Sequence, residues 1–160
     1  IMVGGKAEVF ERIQPLFSCM GKTIIRVGDS GAGQITKACN QLALLVAAQG
    51  VAEALHLAGR LGADVAKVRE VMLGGIAASR VMELFGRRMV ERNFADGIDA
   101  RLYHKDLGIV LDLAHATGTA SPGGATVMQQ INALMGQGRG NDDLAALITV
   151  IEGMSGTIKN

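Results

Sequence analysis

A lysine and an asparagine follow a glycine-rich segment at a spacing that suits ligand chemistry. The segment reads Gly-Asp-Ser-Gly-Ala-Gly-Gln-Ile-Thr-Lys-Ala-Cys-Asn over residues 28–40. On a helix, Lys37, Asn40 and Gln41 share one face. Glycines let a ligand approach the backbone closely, and the first turn of a helix offers free N–H groups. The segment therefore indicates a site where a small polar ligand meets a cationic side chain.

A more ordinary interpretation of the same segment stays open. Taken by themselves, Lys37 and Asn40 are typical of solvated side chains on a helix surface. The segment also lacks the third glycine of a dinucleotide-binding G-x-G-x-x-G turn, and it has no P-loop ending. The pattern alone therefore does not choose between a helix surface and a site.

A second set of charged residues stands near the start of another helical pattern. It reads Lys-Asp-Leu-Gly-Ile-Val-Leu-Asp over residues 105–112, and Arg101 and His104 precede it. Lys105 and Asp106 are typical of surface charges in the first turn of a helix. Beside a glycine-lined cleft, however, a cation such as Lys105 can hold the phosphate or carbonyl of a cofactor.

The composition favours packed helices and excludes several classes of partner. Hydrophobic residues make up 49% of the 160-residue chain, but only 3% are aromatic, and there are eight Met and no Trp. The apolar volume therefore comes from the aliphatic side chains that fill helical cores. The net charge is +1, with the charges of both signs interspersed, so we expect neither nucleic acid nor a membrane surface as a partner.

The cysteines and histidines predict no metal site. Cys19 and Cys39 are too few for a disulfide framework, and His56 and His115 lack zinc-site partners at the usual spacing. We expect reduced thiols and a cytoplasmic protein.

The apolar periodicity predicts the elements that must position these side chains. A long helix is expected over residues 32–62, about 45 Å long at about 1.5 Å per residue. Pro15 is expected to break or kink a short helix near the N-terminus. Strands are expected at residues 1–3 and 23–27, a helix at 6–21, further helices at 64–73, 79–92, 103–117, 124–135 and 142–154, and a frayed tail at 153–160.

Together these elements predict an all-α fold, a helical bundle around one long helix. The strand-like segments need sheet partners, so residues 1–29 are expected to be the remnant of a preceding domain and residues 30–160 to be the helical domain. The long helix is apolar over much of its circumference, which favours contact with another domain or subunit. Gln41, Gln49 and His56 interrupt it, so we do not expect a membrane span.

The two motifs, in this order, resemble the β-hydroxyacid dehydrogenase family, and the resemblance covers essentially the whole chain. The similarity lies in Gly28 to Asn40 and in the K-D-L-G-x-x-x-D pattern from Lys105 to Asp112. Residues 74–82 and 88–94 are most similar to the 2-hydroxy-3-oxopropionate (tartronate semialdehyde) reductase branch. The resemblance implies a helical domain like the C-terminal domain of 6-phosphogluconate dehydrogenase, preceded by a Rossmann domain that this chain lacks.

The resemblance also implies an activity and a role for each candidate residue. It implies hydride transfer between NAD or NADP and a small 3-hydroxy acid or semialdehyde. Lys37 would be the catalytic acid and base, Asn40 and Gly33 would bind the substrate, and Lys105 would contact the cofactor. Without the Rossmann domain, the chain alone would be inactive. Residues 95–98 depart from the family, since relatives often have a Pro-Gly-Phe turn there.

Two other functions remain open for such a fold. One is a non-enzymatic helical module for oligomerisation or binding, because a fold does not fix a function. The other is an imine reductase, which resembles this fold but typically has another residue at the lysine position. Lys37 and Asn40 favour the hydroxyacid enzyme over both, and the long helix favours a homo-oligomer.

Overall fold

The computed structural model describes residues 1–156, of which the greater part is helical. The chain is 69% helical, which confirms the expected all-α class. The helices are α1 (Ala7–Ser18), α2 (Ala32–Arg60), α3 (Val65–Leu73), α4 (Arg87–Glu91), α5 (Ala100–Thr117), α6 (Pro122–Gly136) and α7 (Leu147–Ser155), and the strands are β1 (Met2–Gly4) and β2 (Ile25–Gly28).

The chain divides into two compact units, Ile1–Gln41 and Leu42–Asn160, and the division falls inside α2. In the first unit, β1 and β2 pair in parallel, with Met2 opposite Ile25. The helix α1 connects them, as a parallel pair requires. Both expected strands are present, although β2 begins two residues later than the β-branched run suggested. The assignment of residues 1–29 and 30–160 to two domains stays a prediction.

Proline does not interrupt α1. Pro15 lies inside the helix, which continues to Ser18, so the expected break is not found. Proline removes one backbone N–H donor and crowds the preceding turn. The helix continues for three residues after Pro15 despite this cost.

The second unit has a core built mainly from aliphatic side chains. Leu45 and Leu55 of α2 are fully buried, as are Leu107 of α5 and Ile131 of α6. The helices α5 and α6 pack along each other, and α7 packs on α6. Aliphatic side chains therefore fill most of this core, as the composition predicted, and a buried aromatic pair, Phe85 and Tyr103, joins them.

The helix expected at residues 79–92 contains a π-helical stretch, Met82–Gly86, directly before α4. Such a stretch leaves backbone carbonyls without their usual α-helical donors. Arg69 of α3 supplies donors, because its Nε lies 3.2 Å from the carbonyl oxygen of Met82 and its Nη2 lies 2.8 Å from that of Glu83. Nothing in the hydrophobic pattern indicated this stretch.

Several helix boundaries differ from the sequence expectation. The helix α5 begins at Ala100 rather than at residue 103, and α6 begins at Pro122, which suits the first helical turn because proline needs no N–H partner there. The last helix follows a short 3-10 turn, Leu144–Ala146, and runs to Ser155. The expected fraying from residue 153 is therefore wrong as far as Ser155, and residues 157–160 lie outside the described part of the chain.

The long helix α2 has 29 residues, close to the expected length. By length and composition alone it could cross a membrane, a property that long apolar core helices of globular proteins share. Its Gln41 and Gln49 side chains are buried rather than exposed. The absence of a membrane partner stays a prediction.

Candidate active site

Lys37 lies on the wall of a cavity in the first unit, where α2 begins beside the end of β1. The cavity has a volume of about 320 Å³. It is lined by Met2, Gly4, Gly31, Gly33, Gln34 and Lys37. Backbone and two polar side chains therefore face the same space, as the glycine-rich segment suggested.

Glycines are required where β1 meets the start of α2. A Cβ atom on Gly33 would lie 2.7 Å from the carbonyl oxygen of Met2, and a Cβ on Gly4 would lie 2.7 Å from that of Asp29. Distances this short are not tolerated between a Cβ and backbone atoms. The close packing of strand and helix thus accounts for Gly33, which nevertheless borders the cavity.

The N–H groups at the start of α2 are less available than the sequence suggested. Ala32 donates to the carbonyl of Asp29, and both Gln34 and Ile35 donate to that of Gly31. These three donors are satisfied inside the turn, so they do not offer a free anion-binding cradle. The side chains of Lys37 and Gln34 remain the main polar groups of the cavity.

The Lys37 side chain is exposed, and within the described residues its ammonium has no hydrogen bond or ion pair. Gln34 precedes it by three residues, so both side chains lie on one face of α2. An ammonium beside a neutral amide can hold a carboxylate or an alkoxide oxygen. The arrangement can therefore bind a small anionic substrate and exchange a proton with it.

Asn40 lies about one turn beyond Lys37 and is not among the residues that line the cavity. Its Nδ2 lies 3.3 Å from Oε1 of Gln41, whose side chain is buried at 5% exposure. Lys37, Asn40 and Gln41 therefore share the same segment of α2, but of the three only Lys37 lines the cavity. The substrate-binding role of Asn40 stays a prediction.

Lys105 belongs to the second unit and stands in the second turn of α5. Its Nζ lies 2.9 Å from Oδ1 of Asp106, and its side chain is 66% exposed. Asp106 pairs with Lys105, while Asp99 occupies the N-cap position of α5. His104 lies 2.8 Å from Oδ1 of Asn132 on the helix surface.

These donors suit the polar groups of a nicotinamide cofactor and an organic acid better than a metal. Lys37 and Lys105 are accessible cations, and Gln34 adds an amide beside the first of them. Among the described residues, no carboxylate lines the cavity. Within residues 1–156, no group of three or more His, Cys, Asp or Glu side chains could hold a metal ion.

Sequence reasoning missed three residues of the cavity wall, namely Met2, Gly4 and Gln34. Gln34 could have been found from its spacing, because it precedes Lys37 by three residues on the same helix. Met2 and Gly4 could not, because their place depends on the parallel pairing of β1 with β2.

Known proteins are similar to this chain in both sequence and fold. Residues 31–151 match the family described as NAD-binding of NADP-dependent 3-hydroxyisobutyrate dehydrogenase. The chain is 40% identical over 155 residues to 2-hydroxy-3-oxopropionate reductase of Escherichia coli K12. The matched region covers 97% of this chain and 53% of the relative.

Two solved structures are similar to the fold. The 3-hydroxyisobutyrate dehydrogenase of Salmonella typhimurium gives a TM-score of 0.86 at 26% identity, covering 92% of this chain and 52% of that one. The Mycobacterium tuberculosis 3-hydroxyisobutyrate dehydrogenase with L-serine gives 0.84 at 29% identity, covering 94% and 54%. The chain thus spans about half the length of the relatives that it matches. It belongs to the NADP-dependent 3-hydroxyisobutyrate dehydrogenase family, through the domain that the family description calls NAD-binding.

Proposed function

We propose that this chain is the C-terminal part of an NAD(P)-dependent 3-hydroxyacid dehydrogenase. The enzyme transfers hydride between the cofactor and a small 3-hydroxy acid or its semialdehyde. The observation that carries the proposal is the Lys37 ammonium, which borders a glycine-lined cavity and has no partner among the residues that the structure describes, in a chain from this family.

Lys37 is the acid and base of the reaction. When bound, the nicotinamide supplies or accepts the hydride. As hydride reaches the carbonyl carbon, negative charge develops on the substrate oxygen, and the Lys37 ammonium stabilises and then protonates it. In the oxidation direction the neutral amine accepts the proton of the substrate hydroxyl.

Other residues of the chain orient the two ligands. Asn40 and Gly33 contact the substrate, and the Gln34 amide faces the same cavity as Lys37. Lys105 contacts the cofactor from α5. Its ion-pair partner among residues 1–156, Asp106, adjoins it in sequence, and the Lys105 side chain is mostly exposed. That exposure supports a role toward a ligand because an accessible cation can still bind a polar group.

The preferred substrate is 2-hydroxy-3-oxopropionate, or tartronate semialdehyde. The 40% identity with the Escherichia coli reductase supports this choice. A 3-hydroxyisobutyrate-type substrate, methylmalonate semialdehyde, is the competitor within the family. On the carbon beside the aldehyde, tartronate semialdehyde carries a hydroxyl group and methylmalonate semialdehyde carries a methyl group. Polar cavity walls favour the hydroxyl.

The complete enzyme requires a nucleotide-binding Rossmann domain, to which residues 1–29 contribute the last strand, helix and strand. The parallel pairing of β1 and β2 supports this, because parallel strands are typical of α/β domains. The chain alone is expected to be inactive.

The enzyme is proposed to be a homo-oligomer that uses one face of α2. Small and apolar residues recur there at alternating intervals of four and three, at positions 43, 47, 50, 54 and 57, and Leu61 continues the spacing directly after the helix ends at Arg60. Leu57 is 59% exposed and Leu61 is 78% exposed. This spacing is typical of a helix that packs against a second helix.

The cytoplasm is the proposed location. Cys19 and Cys39 are both exposed free thiols. Thiols of this kind persist where the compartment is reducing.

The test of the proposed function uses the complete enzyme. Oxidation of NADH and NADPH is followed with tartronate semialdehyde and with methylmalonate semialdehyde at equal concentrations. We expect turnover with one cofactor and a higher kcat/KM for tartronate semialdehyde. Preference for methylmalonate semialdehyde would refute the substrate choice alone, and no turnover with either would refute the enzyme assignment.

A further inference from the structure

Asp143 is a buried carboxylate that the candidate site does not include. Its side chain is only 1% exposed, and it precedes the 3-10 turn of the second unit. Oδ2 accepts from Nη1 of Arg88 at 2.8 Å and from the backbone N–H of Ile98 at 3.2 Å. Oδ1 accepts from the N–H of Ala145 at 3.0 Å. A buried carboxylate with this many donors is firmly fixed in place.

The backbone of Asp143 and of its neighbour also binds both ends of the segment that contains Ile98. The N–H of Asp143 donates to the carbonyl of Phe94 at 2.7 Å. Asp99 pairs with Asp143 as an antiparallel bridge, and the N–H of Ala100 donates to the carbonyl of Asp142 at 2.8 Å. Asp143 and Asp142 therefore hold both ends of residues 94–99. We call this segment the α5 entry loop.

Gly97 shows how closely the α5 entry loop covers the carboxylate. Its φ is +131°, and a Cβ atom there would lie 2.1 Å from Oδ2 of Asp143 and 2.6 Å from Nη1 of Arg88. Only glycine satisfies both the backbone angle and the space. The loop is therefore folded directly over the Arg88–Asp143 ion pair.

The α5 entry loop sets where α5 begins, and α5 carries Lys105. The helix begins at Ala100, one residue after the bridge, and Lys105 follows in its second turn. Between them Tyr103 is buried and packs edge-on against Phe85, with ring centroids 6.3 Å apart. Since a helix is stiff over two turns, a shift of its first residue also displaces Lys105.

We propose that Asp143 is a positioning residue for the cofactor side of the enzyme. Through Ile98, Arg88 and the backbone of Phe94 it holds the α5 entry loop, and so it fixes the place from which Lys105 reaches the cofactor. This inference rests on the proposed function, which assigns Lys105 to the cofactor. It differs from a purely structural role, which would stabilise the bundle without affecting cofactor affinity.

The test compares Asp143→Asn with wild type in the complete enzyme, by cofactor titration calorimetry and by amide hydrogen exchange. Asparagine keeps the shape but removes the charge that Arg88 and Ile98 bind. We expect cofactor affinity to fall about tenfold, as small misplacements of a ligand contact do. We also expect faster exchange in residues 94–105, with little change in KM for the acid.

Three further variants separate this role from general destabilisation. Asp142→Asn is the adjacent control, because its side chain binds Arg139 at a half-exposed position, and it should leave cofactor affinity unchanged. Val127→Ala, at a fully buried core position, lowers stability without touching the loop. Gly97→Ala displaces the loop but keeps the charge, so it should weaken cofactor binding even if Asp143→Asn fails to fold.

The outcomes decide between the two claims. Unchanged exchange in residues 94–105, or faster exchange with unchanged cofactor affinity, overturns the positioning role. Lys105→Ala tests the proposed function separately. If Lys105→Ala weakens cofactor binding and the Asp143 and Gly97 variants do not, the inference fails alone. If Lys105→Ala has no effect, the assignment of Lys105 fails and the inference fails with it.

Discussion

Lys37 owes its chemical interest to what surrounds it rather than to its own position on a helix. Its side chain is exposed, as an ordinary surface lysine would be. The neighbouring backbone of β1 and the glycines at the start of α2, however, form a cavity beside it. A carboxylate or alkoxide entering this cavity meets a cation that has no competing protein partner among the described residues.

At the residue scale, Gln34 is predicted to bind substrate beside Lys37. Gln34→Leu removes the amide but keeps a similar volume, so we expect KM for the acid to rise about tenfold, the loss of about one good hydrogen bond. Steady-state kinetics of the complete enzyme measures this. Gln14→Leu, at an exposed position of α1, is the matched control and should leave KM unchanged. Equal KM values for the two variants would remove Gln34 from the site.

The candidate residues could be read from the sequence only in part, for physical reasons. Lys37 and Gly33 stand in a local motif whose spacing on one helix is fixed by the chain itself. The N–H groups expected to be free are instead bonded within the turn, because the carbonyls of Asp29 and Gly31 fold back toward them. Backbone geometry of this kind is not encoded in a spacing of residue types.

Tyr103 gives a prediction about alkaline pH. Burial raises the pKa of its phenol above the ordinary 10.0, and the charge of Asp143 adds to the effect, while Arg88 opposes it. The folded state therefore disfavours tyrosinate. The stability that this contributes is present below about pH 10 and is lost as the pH rises through the raised pKa.

The measurement uses the one Tyr of the chain. We expect its tyrosinate absorbance to appear at higher pH in the folded chain than in the unfolded chain. The free energy of unfolding of the wild type should also fall more steeply above about pH 10 than that of Tyr103→Phe. Identical slopes for the two proteins would contradict the raised pKa.

At the element scale, the contact between β1 and α2 depends on glycine. Gly33→Ala places a Cβ 2.7 Å from the carbonyl oxygen of Met2, so strand or helix must move, and we expect a loss of about 1–3 kcal/mol in the free energy of unfolding. Chemical denaturation measures this. Gly153→Ala on α7 is the control, because a Cβ atom there meets no atom within 4 Å. Its free energy of unfolding should rise by about 0.5–1 kcal/mol. A neutral Gly33→Ala would contradict the close contact.

The elements themselves were predictable where their cause is local. The hydrophobic pattern gives α2 almost in full, and the Asp64 side chain caps α3 by accepting from the N–H groups of Ala66 and Lys67. The start of α5 was misplaced because it is set from a distance, by the bridge between Asp99 and Asp143. The π-helical stretch was missed because its carbonyls depend on Arg69, which lies on another helix.

At the scale of the whole molecule, the face of α2 defined by residues 43, 47, 50, 54 and 57 predicts self-association. We expect at least a dimeric mass by light scattering at micromolar concentration. Ala47→Glu places an unpaired charge in the middle of this face, and it should shift the mass toward the monomer. Glu11→Asp on α1, at an exposed position, is the control. A monomeric wild type would contradict the prediction.

The catalytic role of Lys37 is the central claim, and single-turnover hydride transfer in the complete enzyme tests it most directly. Lys37→Met keeps the length of the side chain but removes the proton donor, and Lys22→Met removes an exposed lysine of the first unit as a control. With saturating cofactor and tartronate semialdehyde, we predict that Lys37→Met slows hydride transfer about 10²- to 10⁴-fold while the protein stays folded and binds cofactor. Lys22→Met should match the wild type. A folded Lys37→Met enzyme that transfers hydride within about threefold of the wild-type rate would contradict the acid–base role of Lys37.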